Sequence, residues 1–392
     1  MDKRYAWSAL RGEVRLSGCL RWLGLVVVLL VSLGGTPAFG AGVSLTYGVD
    51  GAGAVALSPA GGSYPRRSTV TLTATPAPGW AFERWGGDIS STQAVVKVKM
   101  VGPKDVIAFF RCVSCGAFGD NYVVGQTYVG RNQYVEYRAG NLPIVISAPH
   151  GGYLTPDEIP DRQDGTTTGD GWTEELARQV FDAIHTATGG YPHLIICRLD
   201  RVKLDANREV EEAAEGNPYA IQAWEEYHQF IEDATGRVEQ NFGKGLYIDL
   251  HGQSDDPDRL QLGYLLLATE LALSDATLND PAYADLSSIN YLADHVELPF
   301  ADLLRGATSL GGLFEDAGYP SVPSPVSPGP GRTMYYSGGY STEVHGSRDV
   351  GRVDGIQIES NMAVRESEEA RASFGEVFAE VVQTYLATHY GL

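Results

Sequence analysis

Tyr247-Ile248-Asp249-Leu250-His251-Gly252-Gln253-Ser254 is an apolar run that ends in a histidine and turns on a glycine. A buried strand has this form when its carboxyl end presents a working side chain, and in open α/β sheets such ends converge on the ligand crevice. Ser147-Ala148-Pro149-His150-Gly151-Gly152 repeats the construction earlier in the chain. A single strand-end histidine reads as a hydrogen-bonded turn residue, but two in matched contexts can reach one metal ion. Zinc hydrolases take three nitrogen or carboxylate ligands and leave a position open for water. The missing acidic ligand is expected at Asp170, in Gly169-Asp170-Gly171-Trp172-Thr173 just before a helix, with Glu174 on that helix's first turn as the alternative.

Outward from these motifs the chain alternates apolar strands with amphipathic stretches, which predicts an α/β domain over residues 121–392 with a mixed sheet flanked by helices. Strands are expected at Pro143–Ala148, His193–Arg198, Gly245–Leu250 and Gly355–Ile358, and helices at Thr173–Ala187, Ala220–Val238 and Glu366–His389. The proline-rich stretch 320–331 reads as a loop. Arg201-Val202-Lys203-Leu204-Asp205-Ala206-Asn207-Arg208 follows an apolar strand. An Asn-Arg pair in a cleft can bind a carboxylate; the plain alternative is a helix cap and a surface ion pair from Arg208 to Glu209 or Glu211. Glu359 closes the run Val353-Asp354-Gly355-Ile356-Gln357-Ile358-Glu359. A glutamate ending an apolar strand is partly desolvated, which raises its pKa toward that of a general base. His185, His193, His228, His295 and His389 stand in no such context and read as structural or surface residues.

The first third of the chain has another grammar. Five lysines or arginines up to Trp22 precede the apolar run Leu23–Leu33 and a small-residue site around Ala38 and Gly40, so residues 1–40 are expected to be a signal peptide directing secretion or surface or periplasmic placement. Residues 43–110 alternate apolar and polar positions between glycine and proline turns, which predicts a small all-β unit, with 111–120 as linker. Its segments Ser58-Pro59, Gly62 to Val70, Thr73-Ala74-Thr75-Pro76, Gly79-Trp80-Ala81-Phe82, Trp85-Gly86-Gly87-Asp88 and Ala108-Phe109-Phe110 resemble a divergent bacterial surface repeat of the internalin B type, which implies contact with a cell surface. A formal net charge of −20 excludes nucleic acid as a partner, since no basic face is available for phosphates. Cys112 and Cys115 read as a local disulfide and Cys197 as a buried, inert thiol.

From Tyr134 onward the chain resembles the N-formylglutamate amidohydrolases, within the zinc carboxypeptidase-like, phosphorylase/hydrolase-like group. The resemblance rests on Pro149-His150-Gly151-Gly152, Asp170 with Leu176, Arg201 with Asp205-Ala206-Asn207-Arg208, Asp249-Leu250-His251-Gly252, Gln357-Ile358-Glu359, and the substrate loop Gly338-Gly339-Tyr340-Ser341-Thr342. It implies one zinc ion on His150, Asp170 and His251. It further implies Glu359 as base, Arg201 beside the oxyanion, and Asn207, Arg208, Gly339, Tyr340 and Thr342 around the substrate. The expected reaction is hydrolysis of an amide in an N-acyl amino acid or short peptide that carries a carboxylate. A metallocarboxypeptidase, a poly-glutamate hydrolase and a catalytically inactive surface-binding protein are the competing expectations. Glu343 stands where the family's enzymes of histidine breakdown carry arginine, and those enzymes are cytoplasmic; both departures point away from N-formylglutamate itself.

Overall fold

The computed structural model describes residues 42–50, 53–77, 80–112 and 122–392; the expected leader and Cys115 fall outside them, so neither the leader nor the disulfide has a structural account. Two compact units result, one within 42–112 and one within 122–392.

In the smaller unit, β1 (Val43–Asp50), β2 (Gly53–Ser58), β3 (Ser63–Tyr64), β4 (Thr69–Pro76), β5 (Trp80–Gly87), β6 (Val95–Lys99) and β7 (Lys104–Cys112) form two sheets. Their orders are β3-β1-β7-β5 and β2-β4-β6. The period of two in β4 decides its orientation: Val70, Leu72 and Ala74 are buried together while the intervening threonines face outward. Trp85 fills the core between the sheets, and its indole N–H donates to Gln93 O at 3.0 Å, so the polar end of the buried ring is satisfied.

The larger unit contains β8 (Thr127–Val129), β9 (Val135–Arg138), β10 (Ile144–Ala148), β11 (His193–Cys197), β12 (Gly245–Gly252), β13 (Leu260–Gly263), β14 (Ser321–Val322) and β15 (Val353–Ser360). They make one mixed sheet, β14-β13-β15-β12-β10-β11-β9-β8. The central pairs β11-β10, β10-β12 and β12-β15 are parallel, and antiparallel partners flank them at β9 and β13. The central strands are buried on both faces, as a parallel centre between helix layers requires. Ile144, Ile146 and Ala148 pack on the side of helices Thr173–Thr188 and Glu368–Tyr385. Val145 and Tyr247 pack on the other side with Phe230 and Ile231 of helix Pro218–Phe242.

The expected strands are all present, two of them longer than expected. β12 runs on through His251 to Gly252, and β15 begins at Val353 and ends at Ser360, because their last turns stay paired with each other. Helix Pro218–Phe242 starts earlier than expected, where Asn217 accepts from the N–H groups of Tyr219 and Ala220. The last helix stops at Tyr385 and passes into a π turn, Leu386–Tyr390. Within the loop expected at 320–331, Ser321–Val322 pairs with β13 as a short strand.

Candidate active site

Three strand ends and one helix start supply the site. His150 follows β10, with Gly151 and Gly152 behind it; a Cβ on Gly151 would lie 2.3 Å from Glu174 N, and one on Gly152 2.2 Å from Arg198 C. The two glycines are therefore what lets the histidine turn lie against the start of helix Thr173–Thr188 and the end of β11. Asp170 is tied back to this turn by its N–H, which donates to His150 O at 2.9 Å. Trp172 precedes helix Thr173–Thr188 in the left-handed region (φ 64°), without a side-chain cap, and Thr173 Oγ1 donates back to Asp170 O at 2.7 Å. That backward bond fixes the carboxylate-bearing turn.

Three ligand atoms, one each from His150, Asp170 and His251, lie within 4.8 Å of one another. Asp170 Oδ2 is 3.3 Å from His150 Nδ1, 3.2 Å from His251 Nδ1, and accepts the Gly252 N–H at 3.1 Å. The far nitrogen of each imidazole meets a buried carboxylate: His150 Nε2 lies 2.7 Å from Asp205 Oδ1 and His251 Nε2 lies 2.9 Å from Asp249 Oδ2. A carboxylate behind each histidine fixes its ring and tautomer and strengthens its free nitrogen as a ligand, so this donor set fits a divalent metal ion. The electrostatics agree. Burial opposes the charge of Asp170, yet the two imidazoles hold its carboxyl well below the usual range. Burial likewise opposes a charged His251, but Asp249 and Asp170 hold its pKa well above the ordinary value. The centre of the site thus favours positive charge. Glu174, the alternative ligand, is engaged elsewhere, with Arg178 at 2.8 Å, and is not part of the cluster.

Glu359 sits directly opposite His251 in the β12-β15 register, so base candidate and ligand candidate are one strand spacing apart. Burial pushes its carboxyl up to about 7, with His251 pulling the other way and Asp170 adding to the rise. Gln357 Nε2 donates to Glu359 Oε1 at 3.0 Å. A cavity of about 360 Å³ opens over these groups; its wall includes Arg201, Arg208, Thr166 and the segment Tyr335–Gly339.

Other expected residues are placed differently. Arg201 lines the cavity, but its guanidinium is bound to Asp205 at 2.9 and 3.0 Å and lies 3.6 Å from Asp170. Asn207 was expected to share a substrate carboxylate with Arg208. Its Oδ1 is already used, accepting from Ser341 N at 2.7 Å, while Nδ2 lies 3.1 Å from His251 Nε2, the nitrogen that faces Asp249. It holds the loop in place and lines the cavity. Arg208 lies at the cavity wall with its head partly exposed, and its ion pair is to Glu212 at 3.3 Å, one residue beyond the expected partner Glu211. Gly339 lines the cavity, whereas the Tyr340 ring packs against Trp224 and His228, and Thr342 is fully buried.

Four features escaped the sequence. Asp205 and Asp249 were legible as motif positions but not as the groups behind the histidines. Arg365 joins Gly171 O, Gln253 O and Ser360 O, stapling the Asp170 turn to the ends of β12 and β15. His345 pairs with His228 at 2.8 Å, and burial lowers the pKa of both, so the pair is a neutral core contact. Cys197 is fully buried, its thiol pushed up to about 12, in keeping with an inert group.

Residues 43–114 match the family profile of the divergent InlB B-repeat domain, which bears out the surface-repeat expectation for 43–110. No curated protein sequence matches the chain. Among solved structures it is similar to an N-formylglutamate amidohydrolase from Ralstonia eutropha JMP134, at 15% identity and TM-score 0.42, over 66% of this chain and 99% of that one. It is also similar to a gene product of Agrobacterium tumefaciens, at 12% identity and TM-score 0.43, over 65% and 95% of the two chains. An N-acetylmuramyl-L-alanine amidase from Mycobacterium smegmatis matches at 12% identity and TM-score 0.28, over 63% and 96%.

Proposed function

We propose that this chain is an exported, zinc-dependent amidohydrolase acting on an amide bond of an N-acyl amino acid or short peptide that carries a carboxylate. The observation that carries the reading is the convergence of His150, Asp170 and His251, each histidine backed by a buried carboxylate, with Glu359 one strand spacing away. A zinc ion held there would supply Lewis-acid polarisation of the scissile carbonyl and an acidified water.

The chain's own groups do the rest. Glu359, ionised and desolvated, takes a proton from the attacking water and returns it to the leaving nitrogen, so the C–N bond breaks with a free acid and a free amine as products. Gln357 holds the oxygen Oε1 of that glutamate in place. Arg208 is the cavity cation not committed to the ligand cluster, and it orients the substrate carboxylate. Against burial, His150 first and Arg201 second hold Asp205 ionised. Arg201 lines the cavity with its Nη1 beside Thr168 O and Asp170, and is assigned to the developing oxyanion.

The test joins metal analysis to a substrate screen. Protein purified without chelator should hold close to one equivalent of zinc, and N-acyl amino acids and short peptides should release amine. Their amidated forms should react poorly. Less than about half an equivalent of metal with no turnover favours the inactive binding protein. Equal hydrolysis of acid and amide removes the carboxylate from the substrate description.

A further inference from the structure

Within residues 42–112, β6 is an outer strand: the order β2-β4-β6 leaves its far side unpaired among the described residues. The register identifies the free groups. Antiparallel strands exchange bonds at alternate residues. Bonds from Ala74 N to Ala94 O and from Met100 N to Ser68 O put the bonded positions of this segment at 94, 96, 98 and 100. The peptide groups of Val95, Lys97 and Lys99 therefore point away from β4, with only the Lys99 carbonyl occupied, by Val101 N. Lys97 and Lys99 are also exposed side chains on one face of the strand, while Val98 between them is buried. Lys104 joins them on a groove of about 460 Å³ with apolar patches at Val95 and Val101. None of the three lysines has a carboxylate partner among the described residues. The unit as a whole carries seven lysines or arginines against four aspartates or glutamates, whereas residues 122–392 carry seventeen against forty-two.

Lysines on a free edge discourage pairing with the same edge of another copy, because like charges would meet. They do not discourage an acidic strand. We propose that the β6 edge takes up an acidic, extended peptide as an added strand. Its main chain bonds the free groups of Val95, Lys97 and Lys99, and its alternate carboxylates meet the two lysines. Residues two apart in a strand are about 6.8 Å apart, which is the repeat of side chains on one face of the incoming strand as well. Main-chain bonds supply affinity in this mode and side-chain charge supplies selection. The proposal stands on the smaller unit alone and is independent of the hydrolase reading.

The experiment uses the full-length chain and a fluorescein-labelled peptide of alternating glutamate and valine, with a glutamine–valine peptide of equal length as the uncharged control. Anisotropy should rise with the acidic peptide only. The Lys97→Glu/Lys99→Glu variant should weaken binding about tenfold or more, since two favourable cross-strand pairs become repulsive, and Lys97→Arg/Lys99→Arg should retain it. Amide hydrogen exchange should slow at Val95, Lys97 and Lys99 on binding. Unchanged exchange at those amides, or equal affinity in the charge-reversed variant, overturns strand addition. So does dextran sulfate binding as tightly as the peptide to the same lysines without protecting the amides, which would make the groove a polyanion site.

Discussion

Glu359 is the residue on which turnover should depend most directly. Glu359→Gln keeps the shape and the contact to Gln357 but cannot accept a proton, so kcat should fall about a hundredfold or more while zinc content and fold stay unchanged. Its burial sets a pH signature as well. The base works only when ionised, so kcat/KM of the wild type should decline as pH falls through about 7, and a bound cation should move that limb lower. A pH profile without an acid limb assignable to Glu359 would remove it from the mechanism. The carboxylates behind the histidines would act on a bound metal ion instead. Asp249→Asn should weaken zinc binding by about ten- to a hundredfold in a competition with a chromogenic chelator, and unaltered affinity would mean that the contact to His251 is only structural. Arg208 is more exposed and already paired with Glu212, so Arg208→Ala should raise KM for acidic substrates by about tenfold, with zinc content unaffected. An unchanged ratio of acid to amide hydrolysis in that variant would make Arg208 a surface ion pair.

At the scale of the element, β15 carries two buried acids with opposite tasks. Asp354, near its start, accepts from Leu292 N, Ser347 Oγ and Tyr390 OH and so gathers three distant segments. Burial nonetheless raises its pKa to about 6. For a carboxyl raised in the folded state, the proton favours folding: the contribution is fully present below about pH 4 and is lost as pH rises from there through 6. Asp354→Ala should therefore lower Tm more at pH 4, before the loss begins, than at pH 8, where the wild type bears the cost of a buried charge. A pH-independent difference in Tm would contradict the shift. What could be read in advance also divides by element. The strand-end histidines and Glu359 were legible because a polar residue closing an apolar run has few places to be. Asp170 was legible as one of two acidic positions at the start of that helix, Glu174 being the other, and it is the fold that separates them, by pairing Glu174 with Arg178. The contact that Asn207 makes was not legible, since nothing in the order of residues says that a loop over a hundred residues later would bring the Ser341 N–H to its amide. Arg365 was invisible for a similar reason: its three acceptors are backbone carbonyls, which leave no mark on composition.

Over the whole molecule, the two units differ in what should stabilise them. Calorimetry should resolve separate transitions for the two, and removing metal with a chelator should lower only the one that belongs to residues 122–392, because a ligand stabilises only the unit that binds it. A shift in both would mean that they unfold as one. Within the larger unit, the cavity has two kinds of wall. One side is His251 and Glu359, locked together by the β12-β15 ladder; the other is Tyr335–Gly339, a stretch with no regular structure, tethered at its far end where Asn207 grips Ser341 N. On the proposed reading the bond-breaking groups belong to the ladder, while part of the wall that faces the substrate belongs to a segment that no ladder holds. Insertion or deletion ahead of Ser341 would then reshape the space beside Arg208 without replacing any residue of the ladder.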